Sequence, residues 1–225
     1  MRKPIILFDL DGTVLTYDGP PPGPGRTSLD RTMRELYAFE RATDGLRVAG
    51  ATDRGLARAL LTRAGAVCDD EAIDLVLASY VRHLAVVVET RRYRPVGDVA
   101  RTVAVLLDHG AVVGLATGNV REGARIKLTS AGLGATFDFA RGGFGCDAEP
   151  RAEIVRLAAH RCAMEDPAEV IVVGDTERDV LAARALGARA IGVATDDAAR
   201  AELEAAGADA IVGACGDALV REILG

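Results

Sequence analysis

The sequence predicts an α/β protein: a doubly wound parallel sheet with a small all-helical insert after its first strand. Three observations lead there. Continuous apolar runs at residues 5–8, 112–116 and 170–173 have the length and composition of strands buried on both faces. The segments between the later runs carry helical spacing, so strands and helices alternate. Between residues 16 and 92 nothing alternates apolar and polar as a half-exposed strand would, so that stretch reads as helix. The expected division is a core of residues 1–15 and 93–225, with the helical insert at 16–92.

The first strand, Ile5-Ile6-Leu7-Phe8, runs into Asp9-Leu10-Asp11-Gly12-Thr13. Strand alternation puts the two carboxylates on the same side. Like charges at the end of a buried strand repel, and a bound cation is the simplest compensation. Gly12 lets the chain turn sharply as it leaves the sheet. Residues 17–25, Tyr-Asp-Gly-Pro-Pro-Pro-Gly-Pro-Gly, form a loop by composition. Ser28 or Asp30 is placed to cap a helix running to residue 41, with Met33, Leu36 and Tyr37 on its apolar side. After a break at residues 45–50, Thr52 or Asp53 caps a second helix carrying Leu56, Ala59, Leu60 and Ala64 on one face. Asp69-Asp70-Glu71 opens a third, with acids at the positive end of the helix dipole and Ile73, Val76, Leu77, Tyr80 and Leu84 inward.

Pro95 restarts the chain in another style. A helix over 96–109 ends at Gly110, and a strand leads into Thr117-Gly118-Asn119. A helix to residue 131, a loop at 142–145 and a helix over 151–162 follow. The strand at 170–173 ends in Gly174-Asp175-Thr176. Helix 178–186, strand 190–194, helix 197–206, strand 210–212 and a last helix complete the pattern. The polar residues singled out fall at the C-terminal ends of three strands, the edge where open α/β sheets bind ligands.

With 225 residues and 49% hydrophobic composition, the chain can bury a substantial core. Its net charge of −6, with arginines scattered among acids, excludes a nucleic-acid backbone as partner. Cys68, Cys146, Cys162 and Cys215 lie far apart and match no zinc or CxxC spacing, so they read as thiols in a reducing compartment. The start carries no signal-peptide pattern, and no apolar run reaches membrane-spanning length. The expected setting is the cytoplasm, with no membrane partner.

Asp9-Leu10-Asp11-Gly12-Thr13 resembles the first motif, DxDGT or DxDGV, of the haloacid dehalogenase (HAD) superfamily. Thr117-Gly118-Asn119 is similar to its second motif, and Gly174-Asp175-Thr176-Glu177-Arg178-Asp179 to its fourth, GDxxxD. The resemblance implies a HAD-like, Rossmann-type core with a C1-type cap. It also implies a magnesium-dependent phosphohydrolase acting on a small phosphorylated metabolite. In that reading Asp9 is the nucleophile that forms an aspartyl-phosphate, and Asp11 is the general acid and base. Thr117, Gly118 and Asn119 hold the phosphate. Mg2+ sits among Asp9, Asp11, Asp175 and Asp179, the last as a direct ligand or as a residue orienting Asp175 or a metal-bound water.

The family's third motif, a basic residue often written Lys-Pro, has no direct match. Glu149-Pro150-Arg151 stands at the corresponding place, leaving Arg151 and Lys127 as candidates. Lys3 and Lys127 are the only lysines in an Arg-rich chain, and a compact ammonium differs from a guanidinium fork, which favours Lys127. Reach favours Arg151: ten helical positions from Thr117 would carry Lys127 roughly 15 Å along the axis. Alternatives within the fold are a phosphomutase on sugar phosphates, a dehalogenase, or a silent phosphoryl-binding module. The dehalogenase needs neither Mg2+ nor a second acid, and Asp11 argues against it. Thr52, Asp53 and Arg54 either face the leaving group or form a helix cap with a solvated arginine. The chain is expected as a monomer or homodimer.

Overall fold

The chain enters through β1 (Ile5–Phe8), four consecutive residues with both faces covered. It leaves the sheet layer through β2 (Leu15–Thr16) and runs through α1 (Pro24–Tyr37), α2 (Asp53–Arg63) and α3 (Asp70–Thr90). It returns through β3 (Arg94–Pro95), which pairs antiparallel with β2 and so ties the two ends of the helical insert together. Then follow α4 (Val99–Asp108), β4 (Val112–Leu115), α5 (Arg121–Ser130), α6 (Arg151–Arg161) and β5 (Val170–Gly174). The last elements are α7 (Glu177–Leu186), β6 (Arg189–Val193), α8 (Asp197–Ala206), β7 (Ala210–Val212) and α9 (Asp217–Leu224). This is a computed structural model and it describes residues 3–225; the first two residues of the expected core lie outside it.

The main sheet has the order β4-β1-β5-β6-β7 with every pairing parallel. β1 therefore has β4, the next strand of this sheet along the chain, on one side and β5 on the other, which makes it the switch point where open sheets form a ligand crevice. Phe8 lies opposite both Leu115 and Val173. The residues just beyond those three therefore emerge side by side at one edge.

Alternation divides β1 between two cores. Ile5 and Leu7 pack on the face covered by Val155 and Ala158 of α6 and Val180 of α7. Ile6 and Phe8 pack on the opposite face, in an apolar cluster that includes Val103, Leu128 and Leu219. That cluster continues without interruption into Met33, Leu60, Ile73, Tyr80 and Leu84 of the insert, so the insert is seated on the sheet layer. Each fully buried Leu or Ile here is worth about 1.5–3 kcal/mol relative to exposure.

Several boundaries differ from the sequence expectation. α1 starts at Pro24, not at Ser28 or Asp30, because proline's preset φ and missing N–H suit a first helical turn. Ser28 instead bonds back to the Pro24 carbonyl at 2.8 Å. α1 also stops at Tyr37, short of residue 41, where Ala38 turns left-handed at φ 51°. α4 begins at Val99 instead of residue 96, because Asp98 caps it by accepting from the Arg101 amide. The β2–β3 pair was not expected: two residues per strand are too few to show alternation. Thr52 and Asp69 cap α2 and α3 through their side chains. No helix among the described residues is long and apolar enough to cross a membrane.

Candidate active site

Asp9 follows β1 directly, and its backbone N–H donates to the Val173 carbonyl at 2.9 Å, which continues the β1–β5 ladder by one step. Its carboxylate is buried, and Oδ1 lies 2.6 Å from Nη2 of Arg151, the first residue of α6. The same guanidinium meets Asp179 Oδ1 at 2.5 Å through Nη2 and at 3.0 Å through Nε. Asp179 Oδ2 in turn accepts from the Thr176 amide and hydroxyl, closing a capping box at the start of α7. Arg151 is thereby clamped between Asp9 and the capping box of α7. Asp175, at the end of β5, accepts from the Thr13 hydroxyl at 3.3 Å. Gly12 lies against it with φ +85°, and a Cβ there would meet Asp175 Oδ2 at 2.0 Å. Only glycine fits that turn.

Asp11 sits in a different electrostatic setting. Its Oδ2 is 2.6 Å from Lys127 Nζ and accepts from Asn119 Nδ2 at 2.8 Å. Asn119 Nδ2 also donates to the Thr117 hydroxyl at 2.9 Å. This orientation leaves Asn119 Oδ1 buried without a partner, a cost of about 1–3 kcal/mol that its two donor bonds must offset. Lys127 is 6% exposed and lies 5.4 Å from the centre of the Tyr93 ring. Burial alone would lower its pKa, but Asp11 and its other neighbours outweigh burial and hold it well above the usual lysine value.

The two basic candidates therefore serve different acids. Arg151 lies against Asp9, and Lys127 lies against Asp11. Lys127, narrowly preferred from sequence as the third-motif residue, lies against Asp11, and it is Arg151 that lies beside Asp9. The reach argument against Lys127 also fails, because α5 begins only at Arg121. Residues 118–120 form a turn, so just six helical steps separate Lys127 from the start of α5. Helical side chains lean toward the N-terminus, which brings its ammonium back to the strand ends.

A cavity of about 270 Å3 opens over these residues. Asp9, Asp11, Asn119, Arg151 and Asp175 line it from the sheet, and Val48, Ala49, Gly50 and Ala51 line it from the insert. Of the three insert residues considered from sequence, Thr52 caps α2 by accepting from the Gly55 amide at 3.2 Å. Arg54 pairs with Asp70 and Asp74 at 2.7 and 2.8 Å and does not reach the cavity. Asp53 is buried, and crosses to the sheet layer to accept from the Val120 amide at 2.8 Å. Burial pushes its carboxyl up to about 6, with Lys127 pulling the other way.

Carboxylate oxygens of Asp9, Asp175 and Asp179 lie within 4.8 Å of one another. Asp11, expected among them, is turned toward Lys127 and Asn119 instead. Burial raises the Asp9 carboxyl to about 6 although Arg151 opposes it. Burial, and then the charges of Asp9, Asp179 and Asp11, raise Asp175 to about 8. Close-packed, desolvated carboxylates of this kind suit a hard divalent cation such as Mg2+, which takes oxygen ligands and needs only one or two carboxylates from the protein. Asp9 and Asp175 could hold it, with Asp179, both of whose oxygens already accept hydrogen bonds from Arg151 and Thr176, beside them.

The fold and this cluster define a hydrolase of the haloacid dehalogenase-like kind. The model of the haloacid dehalogenase-like hydrolases matches residues 4–187, and the chain belongs to that family. It is 31% identical over 202 residues to the probable phosphatase IndB of Dickeya dadantii, covering 85% of this chain and 81% of that protein. Among solved structures, a hydrolase from Pseudomonas syringae aligns over the full length of both chains with TM-score 0.73 and 20% identity. CbbY from Rhodobacter sphaeroides, in complex with phosphate, aligns over 96% of each chain with TM-score 0.71 and 18% identity.

Proposed function

We propose that the chain is a magnesium-dependent phosphohydrolase that cleaves a small phosphate monoester through an aspartyl-phosphate on Asp9. One observation carries this reading. Two acids two residues apart are held by separate cations at one cavity, Asp9 by Arg151 and Asp11 by Lys127. A nucleophile and an acid–base group have different tasks, and here each of the two acids has its own set of partners. A haloacid dehalogenase has no use for the second acid, which here holds a buried lysine and a buried asparagine. The likeness to a probable phosphatase points the same way.

Asp9 Oδ attacks phosphorus, and the bond to the leaving oxygen breaks as Asp11 gives that oxygen a proton. Asp11 then takes a proton from the water that attacks the aspartyl-phosphate. Arg151, beside Asp9, offsets charge on the phosphoryl oxygens. Thr117 accepts from Asn119, leaving its own hydroxyl proton for a phosphoryl oxygen. Mg2+ bound by Asp9 and Asp175 would screen the negative charge that otherwise opposes attack of a carboxylate on a phosphate. The helical insert acts as the cap: seated as it is, its 48–51 segment closes the cavity against water and shapes the space for the leaving group.

A panel of phosphate monoesters with Mg2+, scored by released inorganic phosphate, tests the reading. Turnover of at least one alkyl phosphate and none of a haloacid is expected; the reverse pattern would overturn it.

Stability gives an independent view of the cation. Asp9 and Asp175 are raised above the ordinary carboxylate value, so the cation-free fold keeps protons that the unfolded chain loses near pH 4. Their contribution is fully present below the unfolded carboxyl's value of 3.8 and is lost as pH climbs through about 6 and then about 8. A bound cation removes that loss. Mg2+ is therefore expected to raise Tm more at pH 8 than at pH 5, with each kcal/mol worth about 2–4 °C at this chain length. Asp175→Asn should raise the Tm of the cation-free protein at pH 8 and erase the Mg2+ effect. Thermal melts with EDTA or Mg2+ at both pH values decide it, and equal Mg2+ shifts at the two pH values would count against a site at Asp9 and Asp175.

A further inference from the structure

Asp53 opens α2 on the insert and is 6% exposed. It makes two bonds to the sheet layer. Its backbone N–H donates to the Gly118 carbonyl at 2.8 Å, and its Oδ2 accepts from the Val120 amide at 2.8 Å. Gly118 and Val120 flank Asn119, whose side-chain amide holds both Asp11 and Thr117. From the other side, the Asn119 carbonyl accepts from the Gly145 amide at 2.8 Å. The insert backbone comes so close that a Cβ on Gly118 would lie 2.6 Å from the Ala51 carbonyl oxygen.

Val120 is also the N-cap residue of α5, and that helix has no side-chain cap from its own sequence. In a capping box the N-cap amide is satisfied by the side chain at the third helical position, which in α5 is Gly123. Here the carboxylate arrives from the insert, 67 residues earlier in the chain. Lifting the insert would strand a desolvated carboxylate and a helix-terminal N–H together, and would free both neighbours of Asn119.

We propose that Asp53 is a positioning residue that couples seating of the insert to the order of the 117–120 phosphate-binding turn. When the insert closes, Asp53 fixes Gly118 and Val120, and so fixes the Asn119 amide that aims Asp11 and Thr117. The functional consequence rests on the phosphohydrolase reading; the coupling itself does not.

The experiment pairs steady-state kinetics on p-nitrophenyl phosphate with hydrogen–deuterium exchange of the full chain without substrate. Asp53→Ala removes the acceptor, whereas Asp53→Asn keeps an oxygen in place for the Val120 amide. In Asp53→Ala, exchange of a peptide covering residues 117–125 should quicken about 10- to 100-fold, with kcat/KM falling by a similar factor. Asp53→Asn should recover most of both. A purely structural role would lower Tm with exchange at 117–125 unchanged relative to the rest of the chain, and that result would overturn the proposal. Equal kinetics and exchange in Asp53→Ala and Asp53→Asn would also overturn it. Should Asp53→Ala fail to fold by circular dichroism, Asp53→Ser, polar but too short to reach Val120, takes its place with the same two outcomes. If the wild type hydrolyses no ester, the phosphohydrolase reading fails while exchange still decides the coupling.

Discussion

Asp9→Asn is expected to abolish turnover, with a loss on the order of 10^4-fold or more, because an amide is a poor nucleophile and no other carboxylate shares its position. The fold should survive the change. Asp9 is buried among like charges, with Asp175 and Asp179 within 4.8 Å, so removing its charge relieves repulsion even as it weakens one side of the Arg151 clamp. The measurement is phosphate release, together with a search for a phosphorylated protein after rapid acid quench. Asp11→Asn separates the two acids. It should still form the phosphoenzyme from an activated ester, whose leaving group needs no proton, yet fail to hydrolyse it at a useful rate. Near-wild-type rates in both variants would sink the mechanism, and a phosphoenzyme that persists in Asp9→Asn would place the nucleophile elsewhere.

Why the fold was legible while parts of the site were not follows from the range of the interactions. Strands such as Ile5-Ile6-Leu7-Phe8 are covered on both faces, and a continuous apolar run records that without knowledge of any partner. Asp9, Asp11, Thr117 and Asp175 are likewise marked by their place at strand ends and by a shared family pattern. The division of labour between Arg151 and Lys127 is recorded in no local spacing. It depends on how far the 118–120 turn swings α5 back, and on an asparagine whose amide reaches Asp11 across 108 positions of sequence. Asp53 shows the same limit. Locally it fits the first turn of a helix, which is correct, but its carboxylate is spent on the Val120 amide. The missed β2–β3 pair and the early start of α1 at Pro24 are local failures of another kind: two residues show no period, and a proline run can end by starting a helix.

Substituting the two basic residues in turn should give losses of different character. Arg151→Ala should lower kcat/KM by about 10^2–10^3-fold on every ester, since the guanidinium lies beside Asp9 and, in the proposed mechanism, acts on the phosphoryl group and not on the leaving group. It should also cost roughly 3–5 kcal/mol of stability, because Asp9 and Asp179 are left buried without their shared cation. Arg151→Lys should restore the charge and only part of the rate, as a single ammonium cannot bridge two carboxylates with the reach of the fork. Lys127→Met should act through Asp11. With Asp11 no longer held by its ammonium, proton delivery suffers, so alkyl phosphates should lose about 10^2–10^4-fold. p-Nitrophenyl phosphate, whose leaving group departs without a proton, should lose far less. A plot of log kcat/KM against leaving-group pKa reads the difference directly: steeper than wild type for Lys127→Met, parallel and displaced downward for Arg151→Ala. If Lys127→Met instead gives the parallel, displaced line while Arg151→Ala steepens the slope, the lysine is the residue that serves the phosphoryl group and the roles assigned to the two cations must be exchanged.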